Sequence, residues 1–174
     1  MEILIIGGIL VALMAYVSTK IKKSAADAYE RERIETEEFT IIKPENFISP
    51  TGESDEYVFT AYSKDFGRDE AEEFRQAKAE LLVYANADFE EICRNAKQSA
   101  GKLVSEETGE SGNGKICFFN VEETENETET EIVYKIAESV KHNKIYELKI
   151  SVLSDFRETY SSAINELLQS FSVK

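Results

Sequence analysis

The clearest chemical pattern in the sequence is a run of glutamates in the third quarter of the chain. Nine glutamates and one lysine fall between Glu106 and Glu131, which gives this acidic tract a net charge of −8. Alternate glutamates in an extended chain share one face, where their carboxylates would bind calcium weakly or meet a basic partner. These candidate ligands are Glu123, Glu125, Glu127, Glu129 and Glu131. The spacing of a calcium loop is absent, so we prefer a solvated hairpin loop, because runs of like charge repel one another.

A second pattern, from Gly109 to Lys115, matches the first seven positions of a phosphate-binding P-loop. The eighth position should be serine or threonine to hold magnesium, but it is Ile116. A P-loop also leads into a helix whose N-terminus faces the phosphates, whereas a strand-like segment follows here. We therefore interpret the glycines as a β-turn.

The thiol and imidazole groups are few. Two cysteines and one histidine exclude a four-thiolate zinc site and most histidine-based metal sites. Cys93 falls on the apolar face of a predicted helix and Cys117 in a predicted strand, and no positive group is placed to activate Cys93, so we expect buried free thiols. His142 lies in a predicted turn without a carboxylate or nucleophile beside it, which favours a solvated side chain. We assign no catalytic residue and expect no cofactor.

Composition and charge narrow the class of protein. The formal net charge of −14 argues against nucleic acid as a partner, because phosphates require a basic surface. The 42% hydrophobic and 10% aromatic content argues against a disordered acidic chain and for a folded core. The part of the chain that follows its apolar N-terminal segment is long enough for one domain and too short for two ordinary ones.

The beginning of the chain predicts a membrane anchor. Residues 3–19 span roughly 26 Å as a helix, which is short but sufficient for a bilayer. A basic start and a small-x-small cleavage site, the marks of a secretory signal peptide, are missing, so we predict an uncleaved single-pass anchor over 1–19. Lys20, Lys22 and Lys23 follow it, which favours a cytoplasmic C-terminal domain at the cell membrane, with an extracytoplasmic domain as the alternative. Residues 20–35 are predicted to form a charged helical stalk, and 36–174 a single globular domain.

Hydrophobic periodicity in the body predicts an α+β domain. Strands are predicted over 36–43, 56–62, 116–121, 131–140 and 144–153, and helices over 68–80, 88–100 and from 155 onward. Residues 81–84 either finish the first helix or form a short strand. Capping boxes are predicted at Asp88 with Glu91 and at Asp155 with Glu158. Strands that pair as hairpins, with helices packed over them, indicate a central antiparallel sheet.

The last 44 residues resemble a known family. Two strands and a helix lead into the terminal run Leu168-Gln-Ser-Phe-Ser-Val173, an order that resembles the closing section of PsbP-like domains. The resemblance implies an α/β/α sandwich with a central antiparallel sheet. It also implies an accessory or binding role, since these domains have no shared catalytic set.

Three functions follow from these observations. We expect a non-enzymatic module that is held at a membrane and binds a protein partner or assists a membrane complex. The first alternative is a small-ligand or cation-binding domain that uses the acidic tract. The second is a hydrolase whose carboxylate pair is brought together only by folding, since the chain has 34 acidic residues.

Overall fold

The computed structural model describes residues 27–50, 56–67, 74–99, 101–125 and 128–174. The predicted anchor over 1–19 lies outside them, and no helix within them is long and apolar enough to cross a membrane. The elements in chain order are β1 (Glu32–Glu35), β2 (Phe39–Lys43), β3 (Phe47–Ile48), β4 (Phe59–Ser63), β5 (Ala77–Ala85), α1 (Phe89–Ser99), β6 (Lys102–Ser111), β7 (Gly114–Glu125), β8 (Thr128–Ser139), β9 (Lys144–Leu153), α2 (Arg157–Ser170) and β10 (Ser172–Val173).

A seven-stranded sheet is the centre of the fold. Its strand order is β3-β4-β5-β9-β8-β7-β6, and every neighbouring pair is antiparallel. A second sheet has the order β1-β2-β10 and is also antiparallel. The prediction of a central antiparallel sheet is therefore confirmed, while the small second sheet was not predicted.

The two helices pack on opposite faces of the large sheet. On one face α1 places Phe89, Cys93 and Ala96 in a cluster with apolar residues of β7 and β8. On the other face α2 and the small sheet share a second cluster with β5 and β9. The layers are thus α1, the large sheet, and α2 together with the small sheet.

The predicted apolar stripe of the last helix is confirmed. Its residues Tyr160, Ile164 and Leu167 are buried, and Phe171 follows at 1% exposure. The capping box predicted at Asp155 is wrong, because a 3₁₀ turn over Ser154–Phe156 comes first. The helix therefore begins two residues later, and its N-cap Phe156 makes no side-chain hydrogen bond.

The capping residue predicted for α1 is confirmed. Asp88 Oδ1 accepts a 2.9 Å hydrogen bond from the backbone N–H of Glu91, which satisfies one of the free donors of the first turn. The helix ends at Ser99, before Gly101. A Cβ at Gly101 would lie 2.2 Å from the carbonyl oxygen of Glu122, so this close approach of α1's end to β7 requires glycine.

The helix predicted over 68–80 is wrong where the structure describes it. Ala77–Ala85 is the nine-residue strand β5, paired with β4 on one side and β9 on the other. Ala77, Ala79 and Leu81 are fully buried at every second position, which is a strand pattern. The alanines and charged residues favour a helix locally, but burial between two neighbours outweighs that preference.

The predicted stalk ends as part of the globular domain. Glu32–Glu35 is strand β1, which pairs with β2 from Glu32 opposite Lys43 to Glu35 opposite Thr40. Arg31 Nε also lies 2.6 Å from a carboxylate oxygen of Glu166 on α2. The helical prediction fails here because β2 offers an unpaired edge that a neighbouring extended segment can satisfy.

Candidate functional site

The acidic tract is folded into three paired strands, β6, β7 and β8, and is therefore not a loop. Glu122 pairs with Glu131, and Thr124 with Glu129, so β7 and β8 divide the alternating glutamates between two antiparallel strands. Directly paired residues share a face of the sheet, whereas successive residues alternate. Glu129 and Glu131 therefore lie on the α2 face, opposite to Glu123, and the predicted common face is wrong.

The candidate metal ligands are consequently not brought together. Arg157 Nε on α2 donates to Glu131 Oε2 as an ion pair, and Glu129 is exposed. Glu127 lies outside the described residues. Within the parts of the chain that the structure describes, no three histidine, cysteine, aspartate or glutamate side chains are arranged to hold a metal ion.

β6 presents an exposed, acidic strand at the edge of the large sheet. It is the last strand of the large sheet, and residues 101–110 are all exposed. Leu103 and Val104 are 46% and 53% exposed near its start. Glutamates follow on both faces, and Glu107 and Glu110 among them make no ion pair to the described residues. This acidic edge, residues 102–111, combines an open strand with negative charge.

The glycines that resemble a P-loop form the tight turn between β6 and β7, as predicted. Ser111 pairs with Gly114, and a strand follows where a P-loop would begin a helix. Gly114 has φ +147°, and a Cβ there would lie 2.7 Å from the Glu138 carbonyl oxygen. Lys115 is bound to carboxylates, since its ammonium lies 2.9 Å from Glu90. The turn has no phosphate-binding geometry.

His142 is not the solvated side chain that its turn position predicts. It is half-buried, and its Nε2 is buried without a hydrogen bond to the described residues. The carboxylate of Glu38, which accepts a 2.8 Å hydrogen bond from Tyr146 Oη, lies near this imidazole. Hydrogen bonds from Lys144 and Tyr146 lower the pKa of Glu38. These contacts make Glu38 an ionised anchor between the two sheets.

Two buried carboxylates were missed from the sequence. Glu80 on β5 is 6% exposed and Glu147 on β9 is 7% exposed, both on the α1 face of the sheet. Lys78 Nζ lies 2.5 Å from Glu80, and Tyr84 Oη donates a 3.2 Å hydrogen bond to Glu147. Apolar residues alternate with Glu147 and Lys149 along β9, but such alternation does not show that a helix covers the second face of the sheet.

Burial shifts the pKa of Glu147 and that of its hydrogen-bond partner Tyr84. Desolvation raises the pKa of Glu147, although its hydrogen bond from Tyr84 opposes the shift. Burial and the Glu147 charge together raise the pKa of Tyr84 to about 12. A carboxyl of raised pKa is suited to general acid work. Both carboxyls are over nine-tenths buried, however, so the pair is better explained as a polar part of the interior than as a site for substrate.

The two cysteines, which the sequence places on separate elements, meet in the fold. Cys93 is 4% exposed and Cys117 is 1% exposed, and both are free thiols, so the predicted burial is confirmed. The expectation that no cation lies near is wrong, because Lys97 is close enough to influence both thiols. One turn of α1 separates Lys97 from Cys93, and this spacing was visible in the sequence.

Comparisons with solved structures show the fold. LpqN of Mycobacterium tuberculosis, described as involved in cell envelope biogenesis, has a TM-score of 0.59 at 9% identity over 83% of this chain and 91% of its own. The Ran-binding protein Mog1p of Saccharomyces cerevisiae has a TM-score of 0.53 at 12% identity over 83% and 96%. The cyanobacterial PsbP protein of Synechocystis has a TM-score of 0.49 at 12% identity over 84% and 94%.

No known protein family matches the sequence. No curated protein matches it either. The structural likeness to LpqN and Mog1p extends over 83% of the chain, and not only over its last 44 residues. The chain has the fold of LpqN and Mog1p.

Proposed function

We propose that this protein is a membrane-held, non-enzymatic module that binds a basic, extended segment of a partner protein along β6. The observation that carries the proposal is the acidic edge, a ten-residue strand at the end of the sheet in which residues 102–110 are all exposed. An edge strand offers backbone N–H and C=O groups to which a further strand can add. The glutamates would select a partner strand that carries lysine or arginine.

Charge supports a basic partner. Glu107 and Glu110 stand on opposite faces of β6, because Glu107 pairs with Phe118 and Glu110 with Lys115. Both faces of an added strand would therefore meet carboxylates. The surrounding tract has a net charge of −8, which would steer a basic segment toward the edge and repel an acidic one. Leu103 and Val104 would supply apolar contacts near the start of the strand.

The fold is compatible with this role. Mog1p, which shares it, is described as a Ran-binding protein, and LpqN is described as involved in cell envelope biogenesis. Neither description names a reaction. Residues 1–19 would anchor the protein in the membrane, and the C-terminal domain would lie on the cytoplasmic side.

The binding test uses the full-length protein in nanodiscs and two peptides of the length of β6. One peptide alternates lysine with valine, and the other alternates glutamate with valine. We expect the lysine peptide to bind and the glutamate peptide not to bind. Joint replacement of Glu107→Lys and Glu110→Lys should weaken binding about tenfold or more, because two attractive contacts become repulsive.

The matched control is joint replacement of Glu37→Lys and Glu45→Lys, which makes the same change of charge at exposed positions around β2. It should weaken binding by less than about threefold, since distant exposed charges are screened by salt. Equal losses in the two double variants would refute β6 as the binding strand. Equal binding of the two peptides would refute a basic partner.

The membrane part of the proposal is tested separately. Deleting residues 1–19 should move the protein from the membrane pellet to the supernatant. A C-terminal epitope after Lys174 should resist protease in intact cells and become sensitive once the membrane is opened. Cleavage of the epitope in intact cells would assign the domain to the extracytoplasmic side.

A further inference from the structure

Cys93 and Cys117 form a contact that only the tertiary structure creates. Cys93 lies on the buried face of α1, Cys117 lies on β7 beneath it, and both belong to the same apolar cluster. Both side chains also line the same cleft between α1 and the β6–β7 hairpin. The thiols are thus already neighbours in the reduced protein, although 24 positions separate them in the sequence.

A cleft gives small molecules access to this pair. Its volume is about 310 Å³, and it lies between α1 and the β6–β7 hairpin. Both cysteines line it, together with Lys97, Thr108 and Lys115. A cleft of this size is large compared with a water molecule, whose share of liquid volume is about 30 Å³. The cleft is therefore large enough to admit a molecule as small as hydrogen peroxide, although Cys93 and Cys117 are only 4% and 1% exposed.

The charges at the cleft favour a thiolate on one of the two sulfurs. The hydrogen bond from Cys93 and the nearby Lys97 ammonium lower the pKa of Cys117 against the opposing effect of burial. The same hydrogen bond and burial raise the pKa of Cys93. Lys97 is held in place by an ion pair with Glu106 on β6. Cys117 is consequently the nucleophile of the pair, and Cys93 is the thiol that remains protonated.

We propose that Cys93 and Cys117 are a peroxide-reactive dithiol that closes reversibly to an intramolecular disulfide. The Cys117 thiolate attacks one oxygen of hydrogen peroxide, so that an S–O bond forms, the O–O bond breaks and hydroxide leaves to become water. The Cys93 sulfur then attacks the Cys117 sulfenic acid. An S–S bond forms, the S–O bond breaks, and a second water leaves with the Cys93 proton. The two thiols lose two electrons, which the peroxide gains.

This proposal does not rest on the proposed binding function, although Glu106, Thr108 and Glu110 of the acidic edge line the same cleft. The disulfide would join α1 to β7 covalently, and a reducing thiol would reopen it by exchange. The alternative interpretation is that both thiols are inert core residues, as buried cysteines commonly are. The two interpretations differ in one respect, because a paired site reacts faster when the protein is folded, whereas an inert buried thiol reacts faster when it is unfolded.

The experiment uses the full-length protein in detergent, treated with hydrogen peroxide in native buffer and in urea. Loss of free thiols is followed with a thiol reagent after quenching, and the product by intact mass. We expect the folded protein to lose both free thiols and the mass of two hydrogen atoms. This loss should be faster than in the unfolded protein, and dithiothreitol should restore the free thiols. Slower loss in the folded protein, or a disulfide between two chains, would overturn the proposal.

Two further variants separate the roles. Cys93→Ser should leave Cys117 as a sulfenic acid that dimedone traps, and absence of the dimedone adduct would overturn the assignment of Cys117 as nucleophile. Lys97→Met should slow disulfide formation roughly 3–10-fold, since each pKa unit changes the thiolate fraction tenfold. The matched control is Lys102→Met, whose side chain is 79% exposed on β6, and this variant should react at the original rate. Equal rates for the two lysine variants would overturn the role of Lys97.

Discussion

The Tyr84 hydroxyl donates a hydrogen bond of 3.2 Å to Glu147 Oε2 between strands β5 and β9. Glu147 is only 7% exposed, so its charged form has lost most of its hydration and gains this one hydrogen bond in return. The net effect is a raised pKa, with burial as the main cause. The interior of the large sheet therefore contains an acid that favours its protonated form.

This acid makes stability depend on pH. Both the folded and the unfolded chain hold the proton below the ordinary pKa, which is 4.5. As pH rises from there through the higher folded pKa, the unfolded chain loses its proton first, so the folded state loses stability relative to it. We expect the unfolding free energy of the native protein, minus that of Glu147→Gln, to fall over this range. Urea melts from pH 4.5 to 7 measure it, and a constant or rising difference would contradict the prediction.

The stripe on α2 carries much of the core. Leu167 is fully buried and Phe171 is 1% exposed, both against the large sheet. We expect Leu167→Ala and Phe171→Ala each to lower the unfolding free energy by ~2–5 kcal/mol through lost burial and the cavity left behind. The exposed position Thr159 on the same helix is the control, and Thr159→Ala should change stability by less than about 0.5 kcal/mol. Similar losses at all three positions would contradict burial as the cause.

The short strand β1 should stabilise the domain. Lys43 is 2% exposed, and its ammonium donates a 2.7 Å hydrogen bond to the Ala28 carbonyl and lies 3.7 Å from a Glu32 carboxylate. A chain that begins at Thr36 lacks both partners, and a buried charge without partners is costly. We expect its free energy of unfolding to be about 3 kcal/mol lower than that of a chain that begins at Asp27. Equal urea midpoints for the two chains would contradict this role.

Lys135 should fasten the end of α2 to the sheet. Its ammonium donates hydrogen bonds of 2.6 Å to the Leu168 carbonyl and 2.8 Å to the Phe171 carbonyl. Lys135→Met removes both donors, and we expect a loss of ~1–3 kcal/mol because the carbonyl groups are left unsatisfied. Lys141→Met, at an exposed position in the β8–β9 turn, is the matched control and should be nearly neutral. If the two variants unfold at the same midpoint temperature, water has replaced Lys135 as the hydrogen-bond donor to the two carbonyl groups.

Part of the architecture was predictable from local pattern. The stripe from Tyr160 to Phe171, the capping aspartate Asp88 and the turn before Lys115 were each interpreted correctly, because a helix face, a cap and a tight turn depend on residues close in sequence. The interpretation of β5 failed because its partner β9 lies far from it in sequence. The proximity of Lys97 to Cys93 follows from helical spacing, but its proximity to Cys117 depends on the packing of α1 on β7, which spacing alone does not reveal.

The sequence by itself determined the acidity, the number of thiols and the separation of an apolar start from a charged body. Only the tertiary structure decided that the pairing of β7 with β8 divides the alternating glutamates between two faces, and that Cys117 and Cys93 belong to one apolar cluster. The physical reason is that composition and local periodicity are properties of neighbouring residues. Strand register and the packing of a helix on a sheet are instead selected by the burial of surfaces that come from distant parts of the chain.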